Sequence, residues 1–289
     1  MIRLGLNIPN FGPTASPAEM REWVAFARDT GFTLAMVSDH VALTPDVAEL
    51  YPPPFYDPFA TLAWMAGWAD GIELGTTVTI LPYRHPLLTA SMTAALHDFT
   101  GGRFVLGVAA GWAAQEFEAL RLPYADRGSM SEEYLAAIRD ALRQPKVSFD
   151  GRFAGYRDVA TGPAVRPPIW VGGTAPAVLR RAARYGDAWH PNNAPIDWLR
   201  DTGLPRMRSL SPGIAFCPRM RARVTAHDAR LDRPAGQGGL GQVVADFRAL
   251  IDLGAEYIVL DTNPDHPRDR RPAAEDRRSL AAVAARLLA

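Results

Sequence analysis

The stretch that most limits the fold of this chain spans residues 71–112, GIELGTTVTILPYRHPLLTASMTAALHDFTGGRFVLGVAAGW. Residues 72–80 mix apolar and β-branched types, as a strand does. Pro86 stands where a first helical residue tolerates proline. Leu88, Met92, Ala95, Leu96 and Phe99 follow at helical spacing and predict one buried face. Gly101-Gly102 stops the helix, and 104–108 is an all-apolar run suited to a parallel strand buried on both faces. Strand, helix and parallel strand in this order make a βαβ unit.

The same alternation continues on both sides. A first strand at 3–8 leads to a capping box, Ser16-Pro17-Ala18-Glu19, and a helix with Met20, Trp23, Val24 and Ala27 on its apolar stripe. A second strand at 34–37 delivers Ser38-Asp39-His40, and a helix at about 57–69 follows. Beyond 112, Ser129-Met130-Ser131-Glu132 offers another capping box, with Tyr134, Leu135, Ile138 and Leu142 on one face of its helix. Residues 146–162 predict a β-hairpin turning near Asp150-Gly151. Strands are then expected at 169–171, 187–190, 213–217 and 257–260, separated by helices, with an alanine-rich helix last. Eight strands alternating with helices predict a (β/α)8 barrel. We expect one domain over 1–289, with the hairpin as an excursion between the fourth helix and the fifth strand.

At 289 residues and 48% hydrophobic, the chain can bury a full core. A formal charge of zero removes the electrostatic case for nucleic acid or an anionic membrane surface. A single cysteine, Cys217, excludes an internal disulfide and a cysteine metal cage. The first residues lack the apolar core of a signal peptide and no apolar run reaches spanning length, so a cytoplasmic setting is expected.

A barrel carries its reactive groups at the C-terminal ends of its strands. Asp39-His40 is the strongest polar pair there, since histidine exchanges protons near neutral pH and a carboxylate can orient it; an ordinary loop pair is the other reading. Gly172-Gly173-Thr174 precedes a helix and suits a phosphate, or simply caps that helix. Residues 107–112 match neither a dinucleotide fingerprint nor a phosphate loop, and a tryptophan such as Trp112 is more often packing than a cofactor contact. The six histidines form no metal-binding spacing, and the lone Lys146 lies in the hairpin, away from any strand end. Between Arg200 and Arg233 stand eight arginines and three aspartates, read as a solvated face or as a rim for an anionic tail. Tyr51, Phe55 and Tyr56, set among prolines, suit either an aromatic lid or a loop packed at a subunit interface.

As an ordered set, several pieces resemble the bacterial-luciferase-like flavin and deazaflavin oxidoreductases. They are 37–40 (VSDH), Asp57-Pro58, 74–86 (LGTTVTILPYRHP), 99–112 (FTGGRFVLGVAAGW), Glu116-Phe117, Arg127 and 168–176 (PIWVGGTAP). The resemblance implies a (β/α)8 barrel with a tricyclic cofactor across its C-terminal mouth. It places Asp39 at the ring and His40 as the acid or base beside the reacting centre. It implies a non-prolyl cis peptide at Thr77-Val78 backing the ring, with Thr76 adjoining. It assigns Val171, Gly172, Gly173 and Thr174 to the phosphate, and adds Asn7, Ala109, Gly111, Trp112 and Arg127 as cofactor contacts. The wording of 74–112 is most similar to the branch using F420, which implies hydride transfer between F420 and a small organic substrate. An FMN-dependent monooxygenase fed by a partner reductase is the alternative, and a non-catalytic flavin-binding barrel the third. A homodimer is also expected.

Overall fold

The computed structural model describes residues 2–230 and 232–289. β1 (Arg3–Asn7) is followed by α1 (Pro17–Asp29) and β2 (Leu34–Val37). The Ser16 hydroxyl accepts from the Glu19 amide at 3.1 Å, but only this half of the expected capping box forms. The Glu19 carboxylate instead pairs with Arg277 near the C-terminus. A single turn, α2 (Pro45–Ala48), and the proline-rich loop lead to α3 (Pro58–Ala66).

The expected strand at 72–80 forms as two, β3 (Glu73–Thr76) and β4 (Thr79–Ile80). The break falls at Thr77-Val78, which carries the non-prolyl cis peptide that was expected. α4 (Pro86–Phe99), β5 (Phe104–Ala109) and α5 (Ala114–Ala119) come next. α6 (Arg127–Arg143) starts before the capping box expected at Ser129, whose hydroxyl donates back to the Asp126 carbonyl. β6 (Lys146–Asp150) and β7 (Gly155–Ala160) pair antiparallel as the hairpin excursion.

β8 (Ile169–Gly172), α7 (Pro176–Tyr185) and β9 (Ala188–His190) continue the alternation. α8 (Ile196–Trp198) and α9 (Leu204–Leu210) flank a π-helical turn at Leu199–Gly203. β10 (Ala215–Phe216) and β11 (Arg219–Arg221) follow, then a two-residue ladder of β12 (Arg223–Val224) with β13 (Gln237–Gly238). α10 (Leu240–Asp252), β14 (Tyr257–Asp261) and α11 (Ala273–Leu288) complete the chain.

Parallel pairing runs β10-β9-β8-β5-β3-β2-β1-β14-β11. β10 and β11 are successive parts of one stave interrupted at Cys217-Pro218, where proline has no amide to donate. The stave therefore touches β9 on one side and β14 on the other, and the ring closes as a (β/α)8 barrel. This seventh strand starts at Ala215, later than the expected 213, and carries on to Arg221.

Strand side chains alternate between two clusters. Leu34, Met36, Val105, Trp170 and Val259 pack together from strands alone and fill the barrel. Ala35, Val37, Leu106 and Val171 face outward into the larger cluster shared with the helices. α4 bears out one expectation only in part: Leu96 is buried and Met92 packs on the core, but Leu88 and Phe99 do not. Its buried side is Pro86, Thr89, Ala90, Thr93 and Leu96. Leu88 and Phe99 are 52% and 61% exposed. Both stripes have helical period, and the small residues take the side that packs closely on the core.

Candidate active site

β2 ends by projecting Ser38, Asp39 and His40 from the barrel mouth, all three buried. The His40 Nδ1 lies 2.6 Å from Glu116 Oε2, reached from α5 on the far side of β4 and β5. Glu116 is fully buried. Its Oε1 accepts from the Val41 and Ala42 amides at 2.6 and 2.9 Å, and Oε2 accepts from the Tyr83 hydroxyl at 2.7 Å. Burial pushes the Glu116 carboxyl up, but His40, the Ala42 amide and Tyr83 outweigh it and leave it lowered. An ionised carboxylate can only accept, so the shared proton sits on Nδ1 and Nε2 is left for other chemistry. Nε2 has no protein partner among the described residues. Tyr51, Phe55 and Trp112 surround the imidazole, with ring centroids 5.1, 5.4 and 5.8 Å away.

Asp39 corrects an expectation, for it does not hold His40. It makes a bidentate pair with Arg84 at 2.7 and 2.9 Å and accepts from the Ile80 amide at 2.9 Å. Burial raises its carboxyl, against the pull of Arg84 and that amide. Asp39 thus pins the end of β4.

Beneath lies a second polar network. The carbonyl and hydroxyl of Thr77 both accept from Arg219, and the Thr77 hydroxyl stands 2.9 Å from His190 Nε2. His190 Nδ1 donates to the Cys217 carbonyl, so Nε2 accepts from Thr77. Burial lowers His190 to about 4, which keeps the ring neutral. Arg219 is itself paired with Asp261 at 2.6 Å, and Asn7 donates to the same carboxylate at 3.1 Å. Burial raises Asp261, yet Arg219 and these donors prevail and lower it.

Over this network opens a cavity of about 580 Å³, within the usual range for small-molecule sites. In strand order it spans the ends of β2, β4, β5, β8 and β9. Asp39, His40, Thr77, Val78, Ala109 and Gly111 line it. So do Trp112, Arg127, Gly172, Gly173 and Thr174. Three expected contacts fall elsewhere. Thr76 is buried with its hydroxyl on the Gly107 carbonyl, and Val171 lies in the outer core. Asn7 lines a separate cavity between the ends of β1 and β14.

Two of the glycines, Gly107 and Gly172, also have packing roles. A Cβ on Gly107 would meet the Thr76 carbonyl oxygen at 2.0 Å, and one on Gly172 would meet Val78 at 3.2 Å. They make room for the Thr77-Val78 bulge, and the bulge in turn forms the cavity floor. The small residues along the floor and the arginines Arg127 and Arg181, which make no ion pair among the described residues, fit a flat ring bearing an anionic tail.

Glu116, Tyr83, Arg84 and Arg219 were not among the expected site residues. Glu116 stood in the resembling pieces without a role. Arg219 was hidden in the arginine-rich stretch read as solvated or as a rim; it is 7% exposed and part of the site floor.

A model of the luciferase-like monooxygenase family matches residues 3–211. The chain belongs to that family. Members are oxidoreductases and monooxygenases acting on small molecules, with F420- and FMN-dependent enzymes both represented among the relatives. The F420-dependent glucose-6-phosphate dehydrogenase of Beutenbergia cavernae is 29% identical over 198 residues, 65% of this chain and 56% of that enzyme. The FMNH(2)-dependent dimethylsulfone monooxygenase of Pseudomonas putida is 30% identical over 181 residues, 59% of this chain and 49% of its own length. The matched region spans about half the length of these two luciferase-like enzymes. Among solved structures, an F420-dependent secondary alcohol dehydrogenase superposes with a TM-score of 0.80 at 15% identity, covering 99% of both chains. That likeness carries the barrel fold. Among the described residues no helix is long and apolar enough to cross a membrane.

Proposed function

We propose that this luciferase-like protein transfers a hydride between coenzyme F420 and a small organic substrate, with His40 as proton donor or acceptor. One observation carries the reading: a histidine held by a buried, ionised carboxylate on the wall of the cavity, its Nε2 without a partner among the described residues. F420 when bound supplies a carbon centre that gives or takes hydride, whereas reduced FMN would supply electrons to oxygen. The remaining work belongs to the protein. Thr77-Val78 and Ala109 would lie against the ring, and Gly172 to Thr174 beside its phosphate. Tyr51 and Phe55 would close over His40 as an aromatic lid, excluding water from the proton transfer.

The FMN-dependent monooxygenase stays as a second reading because the dimethylsulfone enzyme is as similar as the dehydrogenase. It would require a reductase partner. A non-catalytic flavin-binding barrel is the third. Under all three the protein is cytoplasmic, and the exposed apolar side of α4 at Leu88 and Phe99 would face a second copy. Sedimentation of a purified monomer would remove the dimer from this reading.

Fluorescence titration with F420 and with FMN tests the main proposal. Micromolar binding of F420 with weaker binding of FMN is the expected outcome. The reverse preference selects the monooxygenase, and tight binding without turnover by any donor selects the non-catalytic barrel.

A further inference from the structure

Arg181 has no counter-ion. It lies on α7 and is 5% exposed, its Nη2 donates to the Gly128 carbonyl at 2.7 Å, and its Nε has no hydrogen-bond partner. Among the described residues no carboxylate reaches it within ion-pair distance. A buried guanidinium left this way is unfavourable unless an anion completes it.

The surroundings point to where that anion sits. Helical side chains lean toward their own N-terminus, so Arg181 reaches back along the first turns of α7 to the start of α6. Both helix starts line the active-site cavity, through Arg127 and Gly128 on one side and Ala177 and Val178 on the other. Neither helix is capped by a side chain, so both present positive ends to the same space. Arg127 is already engaged, with its guanidinium 4.0 Å over the Tyr124 ring and Nη1 on the Tyr124 carbonyl. The single carboxylate lining the cavity, Asp39, is bound to Arg84.

We propose that Arg181 is the counter-ion of the ligand's phosphate, gripping it between the first turns of α6 and α7. The assignment of that phosphate to a flavin or deazaflavin cofactor rests on the function proposed above, but the anion site stands on its own geometry. A charge-assisted contact of this kind discriminates by about tenfold or more.

Two measurements test it on the full chain. In thermal unfolding, inorganic phosphate should raise the Tm of the wild type above that in chloride at matched ionic strength, and should leave R181M unmoved. In fluorescence titrations, the wild type should prefer FMN over riboflavin, or F420 over its phosphate-free deazaflavin ring, by about tenfold or more. R181M should bind both members of the pair alike. R181K, which keeps a point charge and loses the planar fork, should fall between, and it replaces R181M if that variant does not fold. An unaltered preference in the variants overturns the proposal, as does a phosphate shift that survives R181M. If neither ring compound binds while phosphate still stabilises only the wild type, the cofactor reading fails and the anion site stands.

Discussion

His40 and His190 line the same cavity and behave in opposite ways because of what holds each Nδ1. A buried carboxylate accepts from the His40 Nδ1 and leaves Nε2 open. A carbonyl holds His190, its Nε2 is taken by Thr77, and burial keeps it neutral. Replacing His40 by alanine should lower turnover by about 10²–10⁴ while cofactor affinity stays nearly intact; unchanged turnover would sink the assignment. Glu116→Gln should lower kcat by about tenfold or more at little change in KM, and should alter the pH–rate profile, because Glu116 acts through the imidazole. A loss of stability without any change in that profile would leave Glu116 as mere scaffold. His190 supplies a stability signature. Its folded value near 4 lies below the ordinary 6.5, so between these pH values the unfolded chain takes up a proton that the folded chain refuses. Stability should therefore fall as pH drops through that window, by about 3 kcal/mol in all. Urea unfolding at pH 7 and pH 5 should show a steeper loss for the wild type than for H190Q.

Among the elements, the unit from β3 to β5 sets the floor of the cavity, and its tightest point is Gly107. With a Cβ 2.0 Å from the Thr76 carbonyl, Gly107→Ala has to push the two strands apart. It should destabilise by about 1–3 kcal/mol or more in chemical denaturation and weaken cofactor binding with it. An alanine variant of wild-type stability would show that the strands can part freely. This unit also marks where sequence reading succeeds and fails. Strand and helix periods found the eight staves and the helices between them, since burial on two faces writes continuous apolar runs. Period alone does not say which side of a helix faces inward. Leu88 and Phe99 share helical period with Thr89 and Thr93, and the less apolar pair is the buried one. The split between β3 and β4 left no mark in the periodicity either, because Thr77 and Val78 are as β-branched as their neighbours; only the resemblance pointed to the cis peptide there. Glu116 and Arg219 meet the site from 76 and 142 residues away from His40 and Thr77, a distance over which no local pattern operates.

For the molecule as a whole, one apolar cluster reaches from Leu4 on β1 to Ala284 on α11. The ring that this core surrounds is uniform in kind but not in strength. Seven staves pair without a break in their own backbone or, at β3 and β4, rejoin through a shared neighbour. The stave of β10 and β11 offers two and three residues on either side of a proline. Its interruption holds the chain's one sulfhydryl, Cys217, which is 1% exposed and whose thiol burial pushes up. A thiol reagent can reach that sulfur only when this stave leaves the ring. The rate of labelling at Cys217 is thus a clock for opening of the barrel, with no engineered probe. The Cys217 carbonyl holds His190, which holds Thr77 under the cavity, so a molecule resting on that floor should make the clock run slow.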